Sequence, residues 1–244
     1  MAIGLVGSEM CIRDSINPNN PCGTVCGADD IDALLEIARR YPNCIVVADE
    51  IYDGLDFTGE HVSVASRSED VPVVALNGVS KVYYAPGWRI GYMALHDPTN
   101  RMGLVRDGLE RLLRSRLCAS TPAQVGYLAG LEQDRGWMET YSERVLRRRD
   151  HCLKRIAQID GLEVEQPGGA FYMFVRLTDE RWANDDKAFV LQLLHEEHVL
   201  LVHGSGFSPQ LGKGHVRLVY LVTLEVLDEV FDRIERFLKK HRGH

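Results

Sequence analysis

Cysteines are few in this 244-residue chain, which has six of them. None of the six forms a C-x-x-C pair, and no histidine cluster accompanies them. That pattern argues against a zinc site, and a disulfide framework is not expected in a chain this long. We therefore expect reduced thiols, as in the cytoplasm, and no metal centre. The cysteines are Cys11, Cys22, Cys26, Cys44, Cys118 and Cys152.

Long apolar runs and clustered positive charge are also missing. No apolar stretch approaches the roughly 20 residues that a membrane span needs, and the N-terminal apolar patch lacks the charged region of a secretory signal. The net charge of −7, from 28 basic and 35 acidic residues, is unfavourable for binding nucleic-acid phosphates. The densest basic run, Arg147 to Arg149, lies in a helical stretch near acidic residues, so we interpret it as a solvated helix face. We expect neither a membrane nor a nucleic acid as a partner.

Apolar runs alternate with helical patterns in the first part of the chain. Apolar residues spaced i, i+3, i+4 and i+7 predict a helix over residues 28–41. Short apolar runs at 44–48, 71–76 and 90–95 are typical of strands buried on both faces of a parallel sheet. This alternation predicts an α/β fold with a mostly parallel sheet flanked by helices.

The pattern changes further along the chain. The apolar periodicity predicts helices over residues 98–159, including one long helix from Gly136 to Ile159. Short strands then alternate with helices at 185–197 and 223–240, which predicts a smaller α+β domain. We place the boundary near residues 140–160, with predicted domains at 16–150 and 151–244.

Three polar side chains lie at the ends of predicted strands or in the loops that follow such ends. Asp49 ends the run "CIVVAD", Lys81 follows the run at 71–76 after a short loop, and Asn20 lies in the proline-stiffened loop "NPNNP". Ligands of open α/β sheets gather outside the carboxyl ends of the parallel strands. A carboxylate, an amine and an amide in such positions therefore predict a shared ligand.

Pyridoxal phosphate would use all of these groups. A pocket lysine forms a Schiff base with an aldehyde, which assigns Lys81, and a carboxylate keeps the pyridine nitrogen protonated, which assigns Asp49. Asn20 and Tyr52 can contact the phenolate oxygen, while Arg89 and the turn from Gly78 to Ser80 can bind the phosphate. Taken singly, each residue has a plainer interpretation as a surface, turn, cap or core residue. The hypothesis depends on their occurring together.

Three motifs resemble the signatures of class I and II pyridoxal-phosphate aminotransferases of fold type I. They are "NPNNPCG", "ADEIYDG" and "NGVSKVYYAPGWRIGY", in that family's order. The resemblance runs from about Ile16 to the C-terminus. Within the family, "NGVSK", "RLCASTPAQ" and "VLLVHGSGF" are similar to bacterial alanine (glutamate–pyruvate) aminotransferases.

The resemblance implies a role for each matching position. Lys81 would bond to the cofactor aldehyde and shuttle the substrate proton, and Asp49 would pair with the ring nitrogen. Tyr52 and Asn20 would contact the phenolate oxygen. The phosphate would be bound by Arg89, with Ser80 in the adjoining turn. Arg217, in "HVRLVYL", would bind the substrate α-carboxylate, a task suited to the guanidinium fork; without the family it would be read as a salt-bridge residue at a sheet edge.

The sequence departs from the family pattern in several places. Cys22 stands where threonine is usual, and Gly78 where many relatives have a phosphate-binding serine, so only the backbone N–H of Gly78 could contribute. Full-length relatives are considerably longer at the N-terminus. Because residues 1–15 change abruptly into the motif at Ile16, we expect a non-native leader joined to the C-terminal part of an aminotransferase. An authentic strand is the alternative.

The expected activity is transamination between alanine or glutamate and a 2-oxo acid in the full-length parent, a homodimer by resemblance. One alternative keeps the cofactor but catalyses a lyase-type reaction. Another is an inactive aminotransferase-like fragment. A ligand sensor would normally carry a DNA-binding helix-turn-helix, and none is found in the sequence.

Overall fold

The structure is a computed structural model that describes residues 5–6, 10–134 and 136–242. The described residues form two compact units. The first unit holds the residues up to Pro18 and those from Val25 to Met138, and the second holds Asn19–Thr24 and the residues from Glu139 onward.

The first unit contains a sheet and several helices. Its strands are β1 (Leu5–Val6), β2 (Met10–Ile16), β3 (Cys44–Asp49), β4 (Val73–Gly78) and β5 (Gly91–His96). Its helices are α1 (Ala28–Arg39), α2 (Val64–Arg67), α3 (Gly103–Arg116) and α4 (Thr121–Glu132). Helix α5 (Gly136–Ile156) begins just before the division between the units.

The second unit contains a smaller sheet and further helices. Its strands are β6 (Leu162–Val164), β7 (Tyr172–Leu177), β8 (Val202–His203) and β9 (His215–Val219). Its helices after α5 are α6 (Glu180–Asn184), α7 (Asp186–Glu197) and α8 (Leu224–Lys240).

The sheet of the first unit has a parallel centre. Within the described residues the strand order is β1-β2-β3-β4-β5, in which β2, β3 and β4 run parallel and the two outer strands run antiparallel to their neighbours. The predicted α/β class is confirmed, and the sheet is a mixed one with a parallel centre. The apolar face of α1 covers β3 and β4, where Ile31 and Leu35 pack with Val46 and Val73.

Strand β5 differs from the sequence prediction. The run at 90–95 was predicted as a strand buried on both faces, but it pairs antiparallel with β4, and Tyr92 and Met93 are 48% and 47% exposed. A continuous apolar run does not distinguish a central strand from an outer strand, because that difference depends on what lies on its far side.

The smaller sheet is antiparallel, with the order β6-β7-β9-β8 in the part of the chain that is described. Val175, Val216 and Leu218 line one small space together with Phe189 of α7 and Phe231 of α8. Since neighbouring residues of a strand point to opposite faces, Phe174 and Arg217 belong to the face away from these core residues.

Part of the predicted leader and the region of the predicted domain boundary fall on described residues. Residues 1–4 and 7–9 of the predicted leader lie outside the described residues, while Met10–Ile16 forms β2 and pairs with β3 from Cys11 to Ile16. The division of the units falls at Met138, next to the predicted boundary range of 140–160, and Asn19–Thr24 belongs to the second unit.

Candidate active site

The parallel strands of the first unit bring three chain segments to one edge of the sheet. Asp49 is the last residue of β3 and is paired in register with Ile16 of β2 and Leu76 of β4. Asn17 follows β2 directly, and Lys81 comes three residues after the end of β4. The polar side chains predicted from the sequence as strand-end groups therefore follow neighbouring strands.

Asp49 is a half-buried carboxylate. Its Oδ1 accepts a hydrogen bond from the backbone N–H of Ile51 at 3.2 Å, and its backbone carbonyl accepts one from the N–H of Asn17 at 3.1 Å. Burial raises the pKa of Asp49 above its ordinary value, and the Ile51 N–H and the charge of Lys81 act in the opposite direction. A further nearby cation would therefore stabilise the ionised form of this carboxyl group.

Lys81 lies close to two of the residues predicted to share its ligand. Its Nζ is 5.8 Å from the centre of the Tyr52 ring, and its charge acts on Asp49. The Tyr52 side chain is only 3% exposed. The structure thus brings Lys81, Asp49 and Tyr52 together, as the sequence predicted.

The predicted phosphate-binding residues are arranged differently. Ser80 is half-buried next to Lys81, but the side chain of Arg89 is exposed and its Nη1 donates to the carbonyl of Pro86 at 2.8 Å. In the turn before Lys81, the N–H of Gly78 donates to Asn77 Oδ1 at 2.7 Å. The guanidinium of Arg89 is therefore turned to its own loop, and its assignment to a phosphate stays a prediction.

The second unit joins Asn20 and Arg217. Nη1 of Arg217 donates to Oδ1 of Asn20 at 2.8 Å, although the two residues are 197 positions apart. The guanidinium carbon is 4.7 Å from the ring centre of Tyr172 and 4.9 Å from that of Phe207. Nε of Arg217 is buried and has no hydrogen-bond partner.

Arg217 therefore resembles a binding group more than a structural salt bridge. Among the described residues, no carboxylate forms an ion pair with it, unlike many of the other arginines of this unit. A partly buried guanidinium with an unused N–H is costly unless a partner arrives. An anionic ligand with two oxygens matches the two-pronged geometry of such a group.

Sequence reasoning missed Asn17, which anchors the "NPNNP" loop. The side chain is buried, with Oδ1 accepting the N–H of Cys26 at 2.9 Å and Nδ2 donating to the Cys26 carbonyl at 3.0 Å. Its backbone N–H is also bonded to the carbonyl of Asp49. The repeated Asn-Pro pattern was the available signal, since asparagine bonds readily to nearby backbone in turns.

The predicted site residues divide between the two units. Asp49, Tyr52, Ser80, Lys81 and Arg89 lie in the first unit, and Asn20 and Arg217 in the second. Across the described residues, no group of three or more histidine, cysteine, aspartate or glutamate side chains could hold a metal ion, and no helix is long and apolar enough to cross a membrane.

The fold and these groups define an α/β protein with a strand-end lysine beside a half-buried carboxylate. The sequence model of the family "Aminotransferase class I and II" matches residues 16–234, close to the span of the predicted resemblance. The chain belongs to the class I and II aminotransferase family.

Known relatives agree with this assignment. The chain is 37% identical over 235 residues to the glutamate–pyruvate aminotransferase AlaA of Haemophilus influenzae, covering 93% of this chain and 57% of that protein. It is 33% identical to the alanine aminotransferase of Mycobacterium tuberculosis, covering 93% of this chain and 53% of the relative. The chain thus spans little more than half the length of the curated relatives it matches.

Solved structures agree on the fold. An alanine aminotransferase from Pyrococcus furiosus superposes with a TM-score of 0.90 at 45% identity, covering 94% of this chain and 58% of that one. An aminotransferase from Escherichia coli superposes with a TM-score of 0.88 at 33% identity, covering 97% of this chain and 58% of that one. The predicted fold type is confirmed.

Proposed function

We propose that the protein catalyses transamination between an amino acid, alanine or glutamate, and a 2-oxo acid, with pyridoxal phosphate as its cofactor. The observation that carries the proposal is the placement of Lys81 beside the half-buried carboxylate of Asp49 at the edge of the parallel strands. The names of the alanine and glutamate–pyruvate aminotransferase relatives support the choice of substrates.

The residues present fit this cofactor. Burial raises the pKa of Asp49, so a protonated ring nitrogen would offset the cost of ionising this carboxyl group. Lys81 supplies the amine that reacts with an aldehyde. Arg217, with a buried and unpartnered Nε, supplies a site for a carboxylate in the other unit.

Each residue has a distinct task in the proposal. When bound, pyridoxal phosphate supplies an aldehyde carbon and an electron-withdrawing ring. Lys81 Nζ would hold the cofactor through its aldehyde carbon, and it would accept the proton that the substrate α-carbon releases. Asp49 would keep the ring nitrogen protonated, and Tyr52 would contact the phenolate oxygen.

Two residues of the second unit orient the substrate in the proposal. Arg217 binds the α-carboxylate through its free donors. Asn20 accepts from Nη1 of Arg217 and so fixes the orientation of the guanidinium. The assignments of Asn20 to the phenolate oxygen and of Arg89 and Ser80 to the phosphate are kept as predictions.

An assay of the two half-reactions tests the proposal. The chain is supplied with pyridoxal phosphate, alanine and 2-oxoglutarate, and pyruvate and glutamate are measured together. We expect the two products in equal amounts, and no turnover in Lys81→Ala. Repeated release of pyruvate and ammonia from serine without 2-oxoglutarate would indicate the lyase alternative, because the β-hydroxyl of serine can leave as water. No turnover by the unaltered chain would favour the inactive fragment.

We further propose a homodimer in the cytoplasm. Exposed leucines of α3 and the residue after it support a partner surface, since Leu104 and Leu117 are 87% and 89% exposed. The described cysteines form no disulfide bond, which supports a reducing compartment; they are Cys22, Cys26, Cys44, Cys118 and Cys152. Light scattering of the purified chain tests the dimer, and a monomer at micromolar concentration would contradict it.

A further inference from the structure

We infer that Asp186 is a positioning residue for Arg217, acting through the turn Gly204–Gly206 and the aromatic ring of Phe207. The inference rests on the proposed function, because it assumes that Arg217 binds a substrate carboxylate. The motif "HGSGF", which contains this turn and Phe207, has no role in the proposed chemistry and would have a positioning role here.

Asp186 is a buried acid at the start of a helix. It is the first residue of α7, it is 3% exposed, and its Oδ2 accepts the backbone N–H of Ser205 at 2.6 Å. The helix does not need Asp186 as its cap, because Asp185 Oδ1 already accepts the N–H of Ala188 at 2.9 Å. A buried carboxylate that is dispensable for capping and bonded to a distant turn indicates a role for that turn.

The turn is also fixed from its other side. A Cβ on Gly204 would come within 2.2 Å of the Gly212 carbonyl oxygen, and a Cβ on Gly212 within 2.0 Å of the Gly204 carbonyl oxygen. Only glycine allows this backbone approach. The turn is therefore held between the segment at Gly212 and the carboxylate of Asp186, which leaves its end residue little freedom.

The turn determines the position of Phe207. Its backbone N–H closes the turn on the Gly204 carbonyl at 2.9 Å. Its ring centre is 4.9 Å from the guanidinium carbon of Arg217, within the range of a cation–π contact. The same ring lies edge-on to Phe174, at 6.1 Å, on the strand beside Arg217.

The chain of contacts therefore runs from Asp186 to Ser205, along the turn to Phe207, and across to Arg217. Loss of the Asp186 carboxylate would release the turn and allow the Phe207 ring to move. The guanidinium would lose one of its two aromatic neighbours, and Nε would no longer be held in place for an incoming carboxylate.

The test follows the side-chain Nε–H signal of Arg217 in ¹⁵N NMR spectra of the full chain, identified as the signal that Arg217→Lys removes. Spectra are recorded without ligand and during titration with pyruvate as the carboxylate probe. The ligand-free spectrum reports the position of the Phe207 ring through its ring current, and the titration reports affinity.

We expect Asp186→Ala to move the ligand-free signal and to weaken pyruvate binding about fivefold. Asp186→Asn keeps an oxygen that can accept the Ser205 N–H, so its affinity should stay within about twofold of wild type. Phe207→Leu leaves the turn intact and should reproduce the weakened binding, which covers the case in which Asp186→Ala fails to fold.

Asp185→Ala is the matched control, since it weakens the same helix without touching the turn. An Asp186→Ala chain with the wild-type signal and affinity would overturn the inference, as would an equal effect of Asp185→Ala. These results would leave the role of Arg217 standing. A wild-type signal that pyruvate does not move would contradict the role of Arg217 itself, and with it both proposals.

Discussion

Asp49 and Lys81 are placed by the two strands that precede them. β3 and β4 are parallel neighbours, so their carboxyl ends lie at one edge of the sheet, and the lysine's charge acts on the aspartate there. The carboxylate is half-buried, and burial outweighs the favourable contributions of Lys81 and the Ile51 N–H. Ionisation of Asp49 therefore lowers the stability of the folded chain, and this effect can be measured without any cofactor.

Replacing Asp49 with asparagine should change how stability depends on pH. The pKa of Asp49 is raised in the folded chain, so the folded state is penalised once the carboxyl ionises. That penalty is absent below the ordinary value of 3.8 and fully present above the folded pKa. We therefore expect Asp49→Asn to gain stability relative to wild type as pH rises from about 3 to about 7 in urea unfolding.

Asp32→Asn supplies the matched control. The hydrogen bond from Arg67 holds the pKa of Asp32 below its ordinary value, so its contribution to stability is present at neutral pH and lost in acid. The Asp32→Asn chain should lose stability relative to wild type as pH rises. The same slope in both variants would contradict the account of Asp49.

Most of the candidate residues could be predicted from the sequence, because each follows a recognisable strand or motif. Asp49, Tyr52 and Lys81 were predicted as a group, and the structure brings them together. The bond between Asn20 and Arg217 was not predictable, since it joins residues 197 positions apart. Asp186 was also missed, because its partner is a backbone N–H that no sequence pattern marks.

At the scale of elements, the conformation of the loop "NPNNPCG" depends on its glycine, Gly23. Gly23 has φ +69°, and its carbonyl accepts the N–H groups of Gly168 and Gly169 at 2.8 Å. A Cβ on Gly23 would lie 2.6 Å from the Cβ of Pro167. The loop that presents Asn20 is therefore pressed against the segment before β7, and both lie in the second unit.

Gly23→Ala should destabilise the chain by about 2 kcal/mol or more, through positive-φ strain and the clash with Pro167. The control is Gly59→Ala, which has a similar φ of +75° but nothing within 4 Å of the added Cβ. That control should cost about 1 kcal/mol. The measurement is the free energy of unfolding in urea, and equal losses in the two variants would refute the close packing of the loop.

Local signals predicted the positions of the main helices and strands better than the exposure of the strands. Thr223 and Asp185 cap α8 and α7 with side-chain hydrogen bonds, and each is the first residue of a helix predicted from the sequence. The exposure of β5 was not predictable from the sequence. An apolar run does not indicate whether its strand has neighbours on both sides. Strand β2 also formed where the sequence showed few apolar residues, in register with β3.

At the scale of the whole molecule, the chain combines a mixed α/β unit with a smaller antiparallel unit. The residues and the order of three motifs were sufficient to predict the family, and the match of the family model over residues 16–234 confirms it. The chain covers 57% of the Haemophilus relative. Whether this portion binds the cofactor is therefore the central question for its function.

Covalent trapping tests that claim most directly. The chain is incubated with pyridoxal phosphate, reduced with borohydride, digested, and searched by peptide mass for the cofactor adduct. Lys81→Ala should abolish the adduct, and Lys213→Ala, at an exposed lysine, should leave it unchanged. The account predicts one stoichiometric adduct on Lys81. An absent adduct, or one scattered over other lysines such as Lys213, would contradict it.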